Sequence, residues 1–135
     1  ACEEQEAAAN LVNAEGVAIL ANIARTIGAT LVHISTDYVF SGSQDRPYRE
    51  TDPVGPLSAY GRSKLMSEWM LQDAAKAHGF SYVALRYFNV AGADPELRTG
   101  QSTKGAMHLI KVAVETALGR REKMDVFGTD YSPHE

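Results

Sequence analysis

A single cysteine, Cys2, leaves no partner for an internal disulfide and suits a reducing compartment. The four histidines stand apart at positions 33, 78, 108 and 134, and no HExxH or CxxC spacing is present. Neither a structural nor a catalytic metal site is therefore expected. No uninterrupted apolar run approaches the roughly 18 residues that span a bilayer, and the acidic opening ACEEQE is unlike a secretory or transit leader. A cytoplasmic protein without a membrane partner is the expectation. The formal charge of −4 offers no basic footprint for nucleic acid or an anionic membrane surface. It leaves room for a single phosphate at a helix end or an arginine. The 135 residues suffice for one ordinary domain and fall short of two comfortable ones.

What is present alternates between two periodicities. Residues 4–27 lack proline, open on acidic residues and space Leu11, Val12, Ile19 and Ile23 as a helix, with Gly28 as its stop. TLVHIS at 30–35 is a short apolar run of strand type, and the Gly-, Pro-, Ser- and Asp-rich stretch 41–58 is a loop. A second helix is expected from about Ser58 to Ala77, stopped by Gly79, followed by a strand at 81–90 that is apolar apart from Arg86. A third helix over AMHLIKVAVETAL carries Leu109, Val112, Ala113 and Ala117 on one stripe and stops at Gly119. KMDVFG (123–128) reads as a third strand. His108 reads as a helix-end surface residue and GRREK (119–123) as a solvated turn. Continuous rather than alternating apolar strands between helices point to an α/β class. The expected form is a doubly wound, Rossmann-like parallel sheet with helices on both faces. Ligands in such sheets gather beyond the C-terminal strand ends, here at the loops that leave from Ser35, Asn89 and Gly128.

Chemistry concentrates in LSAYGRSKLMSE (57–68), where Tyr60 and Lys64 stand one above the other on a helical face. A tyrosine with its free pKa of about 10 is a poor base near neutrality, and a neighbouring ammonium favours the phenolate. By itself the pair is as readily a surface contact. STDYVF adds hydroxyls on Ser35 and Thr36 where the first strand ends, so that hydroxyl, phenol and ammonium can converge at one sheet edge.

That set resembles the extended short-chain dehydrogenases/reductases that act on nucleotide sugars. YGRSKLMSEWMLQDAAKAHG, LRYFNVAGADP and HLIKVAVETALGRREKMDVFGTDY, within residues 60–131, resemble the UDP-glucose 4-epimerases. Residues 1–57, with LVHISTDYVFSGSQDRPYRETDPVGPLS, resemble the dTDP-4-dehydrorhamnose reductases, as a mosaic or an internal fragment would. The resemblance implies Tyr60 as acid/base, Lys64 on the nicotinamide ribose and Thr36 sharing the proton with the sugar oxygen. It further implies cofactor contacts for Asn13, Ser35, Tyr60, Lys64 and Tyr87, and substrate contacts for Tyr38, Phe88, Asn89 and Phe127. NAD is the implied cofactor, with NADP as the alternative, and a nucleotide sugar the implied substrate. C4 hydride transfer to the cofactor and back from the opposite face is the implied reaction. By residue type alone, Asn13 reads equally as a polar helix-surface residue. By residue type, Tyr87 and Phe88 read more often as core packing, and Phe127 reads equally so. Relatives pair through a bundle containing the tyrosine helix, which implies a homodimer.

Nothing in the sequence matches the GxGxxG or GxxGxxG turn with which this family receives the cofactor diphosphate. The resemblance places residues 1–90 in the C-terminal half of an NAD(P)-binding domain and 91–135 at the start of a substrate-binding region. The expectation is that the isolated chain neither holds NAD tightly nor turns over. A non-catalytic pairing module is the alternative from another class.

Overall fold

The computed structural model describes residues 4–128, which divide into two compact units meeting between Phe88 and Asn89. The first unit opens with one continuous helical run: α1 (Glu6–Asn10), a π-helical turn (Leu11–Glu15) and α2 (Gly16–Ile27). Gly28 ends it at φ 68°, in the left-handed region that glycine enters without a Cβ penalty. The run is long and apolar enough to cross a membrane by length and composition. Its buried stripe of Ala9, Ala14, Val17, Ala21 and Ala24 has the small side chains that let two helices approach closely. The large residues whose spacing suggested the helix, Leu11, Val12, Ile19 and Ile23, lie on its exposed face instead.

Strand β1 (Leu31–Ile34) leads into a 3₁₀ turn (Asp37–Val39), the loop 41–58, helix α3 (Ala59–His78) and strand β2 (Tyr82–Leu85). The two strands pair in parallel, Leu31 opposite Tyr82 through Ile34 opposite Leu85. A crossover helix between parallel strands is the βαβ unit the apolar pattern called for. Ser58 caps α3 by accepting a hydrogen bond from the Gly61 N–H at 3.0 Å, and Gly79 terminates it at φ 69°. Helices α2 and α3 lie together on one sheet face, where Val17, Ala21 and Leu71 pack with Leu31, Phe80 and Tyr82. The expected cover on both faces is met on that face only within this unit. Val32, Ile34, Val83 and Leu85, which alternate to the opposite face, are exposed.

Two strand assignments require correction. The second strand stops at Leu85 rather than running to Val90, because its partner β1 ends at Ile34 and the ladder closes with the Ser35 N–H to Leu85 O bond at 2.9 Å. Residues 123–128 form no strand, since among the described residues none pairs with them.

The second unit holds helix α4 (Leu109–Ala117), three residues shorter at its start than expected. His108 is its exposed N-cap residue, and Gly119 follows it at φ 69°. Val112 is the buried member of its stripe, while Leu109 is exposed. In the basic turn after α4, Arg121 lies 3.8 Å from Glu115 as a surface ion pair.

Candidate active site at the end of strand β1

The site lies where β1 gives way to the 3₁₀ turn and faces the first turns of α3. Thr36 adopts extended backbone angles and caps that turn: its buried hydroxyl accepts from the Tyr38 N–H at 3.2 Å and donates to Asp37 Oδ1 at 3.1 Å. The turn drives Val39 and Phe40 into a cluster with Leu65 of α3, against which Tyr48 and Val54 pack. Phe40 and Tyr48 stack with centroids 4.4 Å apart, so the loop folds back along the turn. Farther out, Asp52 staples the loop. It accepts from both terminal nitrogens of Arg46 at 2.8 Å, from the Arg49 N–H at 2.8 Å and from Gln44 at 3.3 Å. The Arg46 fork, aided by the Arg49 amide, holds the Asp52 carboxyl well below the usual carboxylate range. The loop thereby delivers Ser58, and with it the start of α3, to the end of β1.

Two residues into α3, the half-buried Tyr60 ring meets Tyr38 edge to face, with centroids 6.1 Å apart and planes at 71°. One helical turn on, the Lys64 ammonium donates to the Ile34 carbonyl at 3.0 Å. Thr36, Tyr38, Tyr60 and Lys64 are thus gathered at one strand end. Gly61 makes this approach possible: a Cβ there would stand 2.3 Å from Tyr38 O.

Asn13 is half-buried rather than exposed. It sits in the π turn, a feature that recurs at functional sites. Its amide donates to Ser63 Oγ at 3.0 Å, its carbonyl accepts from the Ser67 hydroxyl, and Ser63 Oγ donates on to Tyr60 O at 2.8 Å. A polar thread therefore runs from the first helix to the backbone of Tyr60. Ser35 is buried, and its hydroxyl donates to Glu68. Tyr87 and Phe88 follow the end of β2 and are exposed, with Tyr87 lining an open concavity shared with Glu50, Trp69 and Arg86. Asn89 and Phe127 belong to the second unit, where both are exposed.

Three residues at the site were not singled out from the sequence. Glu68 lies four residues beyond Lys64, and Arg86, the charge inside an otherwise apolar strand pattern, pairs with it. The third, His33, is buried on β1 with its Nε2 lacking a hydrogen-bond partner. Desolvation, followed by the nearby Lys64 cation, lowers the His33 pKa below the ordinary 6.5, and Glu68 offsets this in part. Between the lowered folded value and 6.5 the unfolded chain binds more protons at this position than the folded one. Folding stability contributed by neutral His33 is therefore present above pH 6.5 and declines as pH falls through that window. His33→Leu is expected to flatten the difference between urea midpoints at pH 7 and pH 5.5, roughly the two sides of an ordinary histidine pKa. An unchanged difference would show that other groups carry the dependence.

Over residues 1–94 the chain matches the family described as RmlD substrate binding domain. It is 55% identical over 101 residues to a UDP-glucose 4-epimerase of Azospirillum brasilense, a stretch covering 75% of this chain and 29% of that protein. Its fold matches the UDP-glucose 4-epimerase from Brucella ovis in complex with NAD at a TM-score of 0.84 and 35% identity, over 98% of this chain and 42% of that one. A dTDP-4-dehydrorhamnose reductase from Bacillus anthracis in complex with NADP is similar at a TM-score of 0.56 and 34% identity, over 63% of this chain and 29% of its own. The chain spans less than half the length of these relatives. One neighbour carries NAD and another NADP, the two cofactors the sequence resemblance implies. By match and fold, the chain belongs to the RmlD substrate binding domain family.

Proposed function

We propose that this chain carries the acid/base part of an NAD-dependent nucleotide-sugar epimerase of the UDP-glucose 4-epimerase type. One observation carries the reading. Tyr60 and Lys64 stand a helical turn apart at the end of β1, with the Lys64 ammonium tied to a carbonyl two residues before Thr36. Bound NAD supplies the acceptor and donor of the C4 hydride. Tyr60 takes the proton from the sugar C4 hydroxyl as that carbon is oxidised and returns it when the carbon is reduced. Lys64, its ammonium held at the strand end by the Ile34 carbonyl, would hold the nicotinamide ribose. Thr36 offers its hydroxyl to the sugar oxygen by giving up its local bond to Asp37. Asn13 steadies the Tyr60 backbone through Ser63.

The residues present fit the nicotinamide-ribose end of the cofactor: an ammonium and a half-buried phenol at a strand end, beside the exposed Tyr38. They do not fit its diphosphate, because no glycine-rich turn opens a helix in this sequence. The proposed domain division follows, with residues 1–90 completing a cofactor domain and 91–135 beginning the substrate-binding region. The unit boundary after Phe88 supports it. On the same reading Ser35 and Tyr87 lie on the cofactor side, and Tyr38, Phe88, Asn89 and Phe127 on the sugar-nucleotide side.

A second reading, an NADPH-dependent dTDP-4-dehydrorhamnose reductase, is favoured by the STDY segment, whose exposed Tyr38 presents its ring beside Tyr60. The protein encoded by the complete open reading frame that carries this sequence separates the two. Conversion of UDP-galactose with NAD, and none of dTDP-4-dehydrorhamnose with NADPH, is the expected result; the reverse pattern selects the reductase. The 135-residue chain by itself is expected to show no micromolar NAD binding by calorimetry. A micromolar titration would refute the diphosphate argument.

A further inference from the structure

One helical turn beyond Lys64, a second polar constellation joins α3 to both strand ends. Glu68 is buried, and its carboxylate accepts from the Ser35 hydroxyl, immediately after β1, and from Arg86, immediately after β2. The Arg86 Nε lies 3.0 Å and 2.9 Å from the two carboxylate oxygens, and its Nη2 lies 2.5 Å from Oε2. Arg86 reaches further still. Its Nη1 donates to Glu50 O at 3.2 Å, and its guanidinium lies 5.1 Å over the Phe40 ring.

The placement of Glu68 relative to Lys64 gives this cluster its meaning. Lys64 and Glu68 are four residues apart on one face of α3, and they bond to consecutive residues of one segment. Lys64 bonds to the Ile34 carbonyl and Glu68 to the Ser35 hydroxyl. They form two adjacent rungs between helix and strand end. The lysine rung is a flexible side chain with four rotatable bonds. The glutamate rung is short, buried and held from the far side by a planar guanidinium that itself grips the loop. The rigid rung sets the register that the flexible rung follows.

We propose that Glu68 and Arg86 are positioning residues that fix the Lys64 ammonium at the end of β1. The catalytic meaning of this rests on the reading of Tyr60 and Lys64 given above; the geometric claim stands apart from it. Without the glutamate rung, the Ser35 hydroxyl is free to rotate away and this level of α3 is free to shift against the strand end, which the Ser35 N–H to Leu85 O bond still ties to β2. Lys64 then loses a carbonyl at a fixed distance. Arg86 acts through the same carboxylate: a lysine there keeps the charge and loses the two-pronged hold on both oxygens.

The test reads Lys64 directly. The chain has five lysines, so the side-chain ammonium signals in a proton–nitrogen spectrum of the 135-residue protein are few, and Lys64→Arg identifies the relevant one. In Glu68→Gln, hydrogen exchange at the Lys64 ammonium is expected to accelerate about tenfold. Asp73→Asn, the same charge change at an exposed position of the same helix, should leave it unaltered. Arg86→Lys and Ser35→Ala are expected to give intermediate acceleration, and they decide the matter if Glu68→Gln does not fold. Unchanged exchange in folded Glu68→Gln, or in both milder variants, overturns the proposal. This readout needs neither cofactor nor turnover, so it holds or fails independently of the epimerase assay. In the protein from the complete reading frame, Arg86→Lys should lower kcat about tenfold with KM for the sugar nucleotide retained. An unchanged kcat there removes the catalytic consequence.

Discussion

Tyr60→Phe is expected to cut turnover of the nucleotide sugar by about two to four orders of magnitude in the protein from the complete reading frame, with the fold retained. The substitution removes one oxygen and keeps the backbone and ring contacts described for Tyr60. Ser63 bonds to the backbone carbonyl of Tyr60, which the variant keeps. The cap from Ser58 runs to the Gly61 amide, and the edge-to-face contact with Tyr38 needs only the ring. A loss of activity with an unchanged melting temperature therefore isolates the phenol as a chemical group. A phenylalanine has no proton to exchange with the C4 hydroxyl, and no other phenol takes its place in the helix turn below Lys64. Tyr38 is close, but it sits on the 3₁₀ turn and has no lysine four residues along. The measurement is a coupled assay on UDP-galactose with circular dichroism in parallel. Turnover equal to that of the unsubstituted enzyme would remove Tyr60 as the base and leave its helix as scaffold.

The ends of α2 and α3 were legible because they depend on local chemistry. Gly28 and Gly79 stop their helices in the left-handed conformation that their residue type allows, and Ser58 supplies the capping oxygen. Strand lengths were not legible in the same way. LRYFNV is apolar enough to continue β2, yet a strand lasts only as long as its partner, and β1 has already turned at Ser35. The run at 123–128 failed for the same reason: nothing in its own residues says whether a neighbour pairs with it. The π turn at Leu11–Glu15 was equally hidden. Its wider winding coincides with the bonds from Asn13 to Ser63 and Ser67, fifty residues and more along the chain. The Tyr60–Lys64 pair was visible because four residues on a helix suffice to place it. The Glu68–Arg86 clamp was half visible, since a lone arginine in an apolar strand asks for a partner. Which carboxylate answers depends on how α3 crosses the sheet. The alanine stripe on α2 inverted the sequence reading: small residues face α3, where the helices approach closely, and the larger apolar ones face outward.

Gly61→Ala is expected to lower the stability of the first unit by about 2 kcal/mol net, against the ordinary preference of helices for alanine. Alanine gains about 1 kcal/mol over glycine inside a helix. Forcing an extra carbon into a filled site costs up to about 3 kcal/mol. Here the cost dominates, because the new Cβ would sit 2.3 Å from Tyr38 O and 3.1 Å from Pro56 Cβ. The nearest obstacle is backbone, pinned by the Thr36 cap and by the Phe40 N–H to Asp37 O bond at 2.9 Å, so it cannot swing aside as a side-chain tip would. The relief available is for α3 to lift off the 3₁₀ turn. That loosens Leu65 from Val39 and Phe40 and draws the Tyr60 ring away from Tyr38. For a unit of this size the loss corresponds to a melting temperature lower by about 10 °C. Gly16→Ala supplies the contrast within the same fold. Its Cβ would meet only Leu11 O at 3.8 Å, an ordinary contact, so the propensity gain of about 0.5–1 kcal/mol should appear undiminished. Thermal melts of the two variants should therefore move in opposite directions. If both rise, the helix does not press on the turn as closely as these distances state, and the approach that brings Tyr60 to the end of β1 has slack that the site geometry denies.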